Sequence, residues 1–201
     1  DIIKHILDRN EGLIMSEITL ESQLFEIIQN EELSEEIKLA KLDMLIKLGV
    51  DVNAKDESED DITALMKASK EGLKEVVELL VANGADVNAK NNWKNSALIL
   101  ASSYGYKEIV EVLVNNGALV NQKGEDDNTA LVWACQNGYK EIAEVLVNHG
   151  ADVKAKNNDG KTAIDLAENN EVKEILSEAI KKKNVENYGA FVGKLKNLFG
   201  R

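Results

Sequence analysis

An internal repeat of 33 residues is the feature that most constrains how this chain can fold. Glycines recur at this spacing in two series and alanines in a third: Gly72, Gly105 and Gly138; Gly84, Gly117 and Gly150; Ala64, Ala97, Ala130 and Ala163. A fixed period of about 20–50 residues is typical of stacked units that each contact only their neighbours. The sequence therefore predicts a solenoid.

One unit can be interpreted from its local residue chemistry. Thr63 is a good N-cap for a short helix, and Gly72 can end that helix in the left-handed conformation. A second helix follows, rich in valine and leucine, and Gly84 closes it. Equivalent N-caps are predicted at Ser96, Thr129 and Thr162.

Each second helix is followed by nearly the same eight residues, which we call the exit loop. The four copies are LGVDVNAK (48–55), NGADVNAK (83–90), NGALVNQK (116–123) and HGADVKAK (149–156). The second helices, such as IVEVLV (109–114), are apolar around most of their circumference and need cover on two sides. We expect Leu113 to be enclosed between neighbouring units.

The helix starts TALMKA (63–68), SALILA (96–101), TALVWA (129–134) and TAIDLA (162–167), together with the exit loops, resemble the ankyrin repeat family. Its repeat combines a T-P-L-H-x-A helix start with a G-A-D-V-N exit. Here the family proline is alanine in every copy, and the family histidine is Met66, Ile99, Val132 and Asp165. The resemblance covers about residues 19–179 and implies an all-α ankyrin-repeat solenoid of helix-turn-helix units with turn fingers.

This resemblance divides the chain into an array with two flanking segments. The repeats are expected at 19–55, 56–90, 91–123, 124–156 and 157–179, the first resembling a polar-faced cap and the last a shortened one. Residues 1–18 fit the second half of an upstream repeat in a longer protein, or a separate amphipathic helix covering the first repeat. Residues 180–201 form a basic segment with an apolar helical face. That segment is interpreted as a helix covering the last repeat, or as one lying on a membrane or a partner.

Charge and motifs argue against several classes of function. The net charge is −12, and residues 180–201 alone contribute +5, so the body is strongly acidic and nucleic acid binding is not expected. No metalloprotease, nucleophile-elbow, P-loop or dinucleotide-binding motif is present. The acidic segments 56–61 and 125–127 lack the spacing of a calcium loop. We expect no cofactor, no metal and no catalysis.

Cys135 is the only cysteine, at a small-residue position of its helix, so we interpret it as a buried thiol. It is compatible with a reducing compartment, and the cytoplasm is the first expectation. His149 is interpreted as a solvated residue of its exit loop.

The resemblance implies a concave binding face made of the turn tips and the exposed side of each first helix. The tips are expected to expose Ile62 among others. Lys67, Leu100 and Trp133 share one position, and the lysine predicts that this position is partly exposed. The candidate partner-binding residues are Trp93, Tyr104, Trp133, Glu59, Asp60, Asn92, Asn95, Ser103, Glu125, Asp126 and Gln136.

Aromatic residues dominate binding hot spots, so Trp93, Tyr104 and Trp133 are the expected centre of the face. Packing of Trp93 on a neighbouring tip, and of Trp133 as a groove filler, are the alternatives. Acidic tips around aromatic residues would suit a protein partner with basic residues around an apolar anchor. The sequence thus favours a monomeric, non-enzymatic protein-binding scaffold. The alternative is a regulatory or targeting part of a larger protein that acts through residues 180–201.

Overall fold

The computed structural model describes residues 19–182 and residue 185. Nine helices with defined bounds follow one another in pairs: α1 (Leu20–Gln29) with α2 (Glu35–Lys47), α3 (Ala64–Glu71) with α4 (Lys74–Ala82), α5 (Ala97–Tyr104) with α6 (Lys107–Asn115), α7 (Ala130–Gln136) with α8 (Lys140–Asn148), and the short α9 (Ala163–Leu166). α10 follows from residue 170 to 182. The predicted helix of residues 1–18 and nearly all of the C-terminal segment lie outside the described residues.

Two of the four predicted N-caps make the expected hydrogen bond. The side-chain oxygen of Thr63 accepts a hydrogen bond from the Met66 amide, and Thr129 does the same for Val132. Thr162 caps differently, because its amide and hydroxyl both donate to the Asp165 carboxylate, at 2.9 and 2.7 Å.

The prediction for Ser96 is wrong in one respect. Ser96 occupies the N-cap position of α5, but its side chain accepts no cap hydrogen bond. Its hydroxyl is buried and has no hydrogen-bond partner among the described residues. Ser96 therefore has the extended backbone conformation of an N-cap residue but makes no side-chain cap hydrogen bond.

The stack has two rows of helices. First helices pack on first helices (α1, α3, α5, α7, α9) and second helices on second helices (α2, α4, α6, α8). Leu80, Leu113 and Leu146, one repeat apart, are completely buried in the second row. The expected enclosure of Leu113 is therefore confirmed, and the apolar circumference of the second helices is explained by neighbours on both sides.

The outer face of α2 is less polar than expected of a cap. Ile37, Met44 and Leu48 are exposed there. Inside the array, α4, α6 and α8 each pack against the second helix of the preceding unit.

Exit loops are joined to one another by repeated side chains. The Asn53 amide group donates to the Gly84 carbonyl at 3.1 Å, and its oxygen accepts from the Asp86 amide at 2.7 Å. Asn88 and Asn121 make the same pair of bonds to the next loops. Lysines add a parallel series, in which Lys55, Lys90 and Lys123 each donate to the carbonyl of the residue one repeat later. The near-identity of the exit loops follows from these bonds.

Turn tips are joined by main-chain bonds at two of their three junctions. The Asn92 amide donates to the Asp60 carbonyl, and the Asn158 amide to the Asp126 carbonyl, both at 2.9 Å. The first tip is longer and forms a small antiparallel hairpin of β1 (Lys55–Asp56) and β2 (Ile62–Thr63), with Lys55 opposite Thr63. Asp60 and Asp126 have positive φ angles of 55° and 51°, a conformation that aspartate tolerates better than most residues.

Candidate functional site

A shallow depression of about 200 Å³ lies where the first two described tips meet the first helices. We call the surface made by the turn tips and the exposed side of α3, α5 and α7 the tip face. Residues from three tips and two first helices line the depression: Glu59, Asp60, Ile62, Asn91, Trp93, Asn95 and Glu125 from the tips, and Lys70, Leu100 and Tyr104 from the helices.

Two aromatic side chains stand at this depression and remain open to solvent. Trp93 is 51% exposed and Tyr104 is 49% exposed. Ile62 is buried, and Leu100 is half-buried and packs against the core. The depression therefore has an apolar base with two aromatic rings at its open side.

A cluster of one carboxylate and two lysines forms one wall. Glu59, from the extended first tip, accepts hydrogen bonds from Lys67 and from Lys70, the latter at 3.2 Å. Burial alone would raise the pKa of the Glu59 carboxyl, but the two lysines outweigh burial and hold this pKa below its ordinary value. The Glu59 carboxylate is therefore occupied within the fold.

Asp60 and Glu125 carry the other two carboxylates of the lining. Asp60 is exposed and Glu125 is half-buried, on the first and third tips. Within the described part of the chain, neither carboxylate group makes a hydrogen bond or an ion pair, although their backbones bond to neighbouring tips. Their negative charges remain available at the edge of the depression.

Comparison with known families agrees with this architecture. A family model described as ankyrin repeats in three copies matches residues 34–124, and a second, described as ankyrin repeats in many copies, matches residues 113–167. This chain is an ankyrin repeat protein. Ankyrin repeats are generally protein–protein interaction modules and are typically non-enzymatic. A search of curated proteins finds no match.

The structure brings six of the eleven candidate residues of this ankyrin repeat protein to the depression. They are Glu59, Asp60, Trp93, Asn95, Tyr104 and Glu125. Asn92, Asp126 and Gln136 are exposed elsewhere on the chain. Ser103 is half-buried, and its carbonyl accepts a hydrogen bond from the Asn137 side chain at 2.8 Å.

Trp133 does not line the depression. It is half-buried and packs against the core, which agrees with the groove-filler alternative. Its indole nitrogen is shielded from solvent and has no hydrogen-bond partner among the described residues.

Asn95 needs a correction in one respect, because it lines the depression but is largely buried. Its side-chain oxygen accepts from the Glu125 amide at 3.1 Å and so joins the second tip to the third. A Cβ atom on Gly124 would lie 2.3 Å from the same oxygen, which explains why this tip begins with glycine. The equivalent Asn128 is also buried and accepts from the Asn157 side chain at 3.0 Å.

Lys67 and Ile62 are the other two corrections. The expectation of an exposed lysine is wrong, because the Lys67 side chain is only 8% exposed and its ammonium group pairs with Glu59. Ile62 is buried because it belongs to β2. The corresponding helix positions of the next two units are Leu100 and Trp133, so the lysine of this ion pair has no counterpart in them.

Sequence reasoning missed Asn91 altogether. Its side-chain oxygen accepts from the Trp93 amide at 3.1 Å and from the Asn95 amide at 2.9 Å. Asn157 makes the equivalent two bonds in the last tip. An asparagine two residues before the tip centre is a known turn former and could have indicated this role.

Other features of the described chain bear on chemistry. Burial raises the pKa of the Cys135 thiol to about 12, so the reactive thiolate is disfavoured. No cluster of three or more metal-ligating side chains occurs among the described residues. Over the same residues, no helix combines the length and apolarity needed to cross a bilayer.

A larger groove, of about 620 Å³, lies between α8 and α10 at the C-terminal end. None of the candidate residues line it. It reaches Lys182, the last residue before the part of the chain that is not described.

Proposed function

We propose that this ankyrin repeat protein is a non-enzymatic scaffold that binds a protein partner through the tip face, with Trp93 and Tyr104 at the centre of the contact. The observation that carries the proposal is the meeting of these two half-exposed rings at one depression. Trp and Tyr are the residues that most often supply binding energy when buried at an interface. The resemblance to ankyrin repeats implies that this surface belongs to the concave side of the solenoid.

The size of the depression favours a protein partner over a small molecule. Sites for small ligands typically measure about 300–1,000 Å³ and enclose most of the ligand. The depression measures about 200 Å³ and is open to solvent. Such a space suits one side chain of a partner whose remaining contacts spread over the neighbouring tips.

Backbone bonds between tips support the same function. Asn92 and Asn158 join their tips to Asp60 and Asp126 through main-chain atoms, so these bonds do not engage the side chains of the four residues. The tips are also held in fixed positions before binding, which reduces the entropy lost on association.

The test is an affinity capture from a lysate of the source cell with three baits. These are the wild type, Trp93→Ala/Tyr104→Ala, and Leu119→Ala, which removes a side chain of 59% exposure on an exit loop. Circular dichroism checks that each bait is folded. We expect a protein retained by the wild type and by Leu119→Ala, and lost by the double variant. Equal retention by all three baits would contradict the tip face as the binding site.

The alternative function, targeting through the basic amphipathic residues 180–201, is tested by a fourth bait that lacks residues 184–201. A protein or vesicle retained by the wild type and lost only by this bait would favour the alternative. Those residues lie almost entirely outside the described structure, so the tip face carries the present proposal.

A further inference from the structure

The charges around the depression do not balance, and this imbalance indicates what kind of side chain it would accept. Of the four charged residues in the lining, Glu59 and Lys70 are paired with each other. Lys67, beneath them, also binds Glu59, so this cluster carries one net positive charge. Asp60 and Glu125 add two negative charges with no partner among the described residues. The depression is therefore net negative, and its two unpaired charged groups are both hydrogen-bond acceptors.

The positions of these groups matter as much as their number. Asp60 belongs to the first tip and Glu125 to the third, and Trp93 lies on the tip between them. Tyr104 closes the depression from α5. A group placed against the two rings therefore has a carboxylate on either side along the stack.

We propose, building on the function proposed above, that the depression binds an arginine side chain of an extended protein segment. A guanidinium group is planar, stacks on aromatic rings and donates hydrogen bonds to carboxylates in a fixed geometry. Its apolar stem can cover Leu100 while its charged end reaches Asp60 and Glu125. At roughly 30 Å³ for each water, the depression is equivalent to six or seven waters, which is about the volume of one long side chain.

Neither an apolar nor an acidic anchor fits as well. A leucine or phenylalanine would cover the two rings but would leave both carboxylates partly desolvated without partners, which is costly. An acidic anchor would be repelled by Asp60 and Glu125. A lysine would satisfy the charge but offers no planar face to the rings, so we expect it to bind more weakly than arginine.

The experiment is a selection from a random dodecapeptide library displayed on phage. The library is first depleted on Trp93→Ala/Tyr104→Ala and then selected on the wild-type chain. We expect one position of the enriched peptides to be arginine. In synthetic peptides, replacing that arginine with citrulline, which keeps the shape and removes the charge, should weaken binding about tenfold or more. Replacement with lysine should weaken it less.

Two protein variants separate specific recognition from general attraction. Asp60→Asn/Glu125→Gln should weaken the arginine peptides about as much as citrulline does. Glu108→Gln/Glu141→Gln removes the same charge from exposed positions on α6 and α8 and should have little effect. An equal loss in both variants, enriched peptides without arginine, indifference to citrulline, or no enrichment over the depleted library would each overturn the proposal.

The proposal and the function beneath it can fail separately. A cellular partner that is lost by Trp93→Ala/Tyr104→Ala but fully retained by Asp60→Asn/Glu125→Gln would uphold the scaffold function and overturn the arginine anchor. A partner insensitive to both variants would contradict the two together.

Discussion

Exit loops and turn tips are both connections between helices, yet they use their side chains in opposite ways. In the exit loops, the side chains of Asn53, Asn88 and Asn121 join one repeat to the next, and the sequence is nearly the same each time. In the tips the main chain makes part of that connection, and the sequence varies more from one repeat to the next. Side chains that hold the stack together must recur, whereas side chains released from that task can serve a partner.

The tips contain side chains of both kinds. Asn95 and Asn128, one repeat apart, are both buried and bonded to the next tip. Trp93, in contrast, has no aromatic counterpart in the other tips and remains half exposed. Burial and bonding to the next tip thus separate architectural tip residues from candidate contacts.

The largest expected effect is on the core that both regions depend on. Leu113→Ala should lower the free energy of unfolding by about 2–5 kcal/mol, since Leu113 is completely buried between α4 and α8. Trp93→Ala, an exposed tip change, should alter it by less than about 0.5 kcal/mol. Urea denaturation followed by circular dichroism measures both. A similar cost for the two variants would mean that the tip is part of the core.

The second prediction compares two glycines that share a backbone conformation. Gly72 and Gly84 have φ angles of +76° and +85°. A Cβ atom at Gly72 would lie 2.5 Å from the Tyr106 ring of the next repeat, whereas the space around Gly84 is open. Both variants force alanine into the left-handed conformation, which costs free energy at either site. Overpacking against the Tyr106 ring should cost Gly72→Ala about 1–3 kcal/mol more than Gly84→Ala.

Thermal or urea unfolding of the two variants measures this difference directly. If Gly72→Ala were combined with Tyr106→Leu, the smaller side chain should recover part of the loss. Equal costs for Gly72→Ala and Gly84→Ala would show that Tyr106 can move aside, and that the mid-repeat glycine is required only for its backbone.

The third prediction compares an asparagine of an exit loop with an asparagine of a turn tip. Asn88→Ala removes the side chain that holds the Gly117 carbonyl and the Leu119 amide of the next loop. We expect a loss of about 1 kcal/mol, because these groups are near the surface and water can replace part of the bonding. Asn92→Ala, an exposed asparagine on a tip, should have little effect on unfolding, because the bond to Asp60 uses its main-chain amide.

Amide hydrogen exchange shows which residues are destabilised by Asn88→Ala. Asn88→Ala should reduce protection in residues 117–119 but not at the tips. If Asn92→Ala reduced amide protection equally, exposed tip side chains would also stabilise the stack, and the proposed difference between exit loops and tips would be wrong.

The sequence predicted the repeat, the helix order, the Thr63 and Thr129 caps and the enclosure of Leu113, because periodic spacing and local capping determine these features. It also selected Trp93 and Tyr104, although whether they contact a partner stays a prediction. It was wrong about the exposure of Lys67, and it did not predict the burial of Asn95. Lys67 is covered by an ion pair with Glu59 of the preceding tip, and Asn95 is bonded to the following tip. Periodic spacing and local capping do not specify these contacts between a tip and its neighbours.

The smallest expected effect is a pH dependence that separates the first tip from the others. Because Lys67 and Lys70 lower the folded-state pKa of Glu59, its carboxylate contributes stability above the unfolded-state pKa of about 4.3. That contribution should be lost as the pH falls through the lower, folded-state pKa. In Glu59→Gln the titrating group is absent, so the difference in unfolding free energy between this variant and the wild type should shrink below about pH 5.

A variant without the two lysines should reverse the sign. In Lys67→Met/Lys70→Met only burial acts on Glu59, and burial raises its pKa. This variant should therefore gain stability relative to the wild type as the pH falls, since protonation then relieves the desolvated charge. Urea denaturation of the three proteins between about pH 3.5 and pH 7 measures both slopes. If the unfolding free energies of the lysine variant and the wild type changed in parallel with pH, the two lysines would have no influence on the pKa of Glu59. The first tip would then resemble the other tips more closely than the structure indicates.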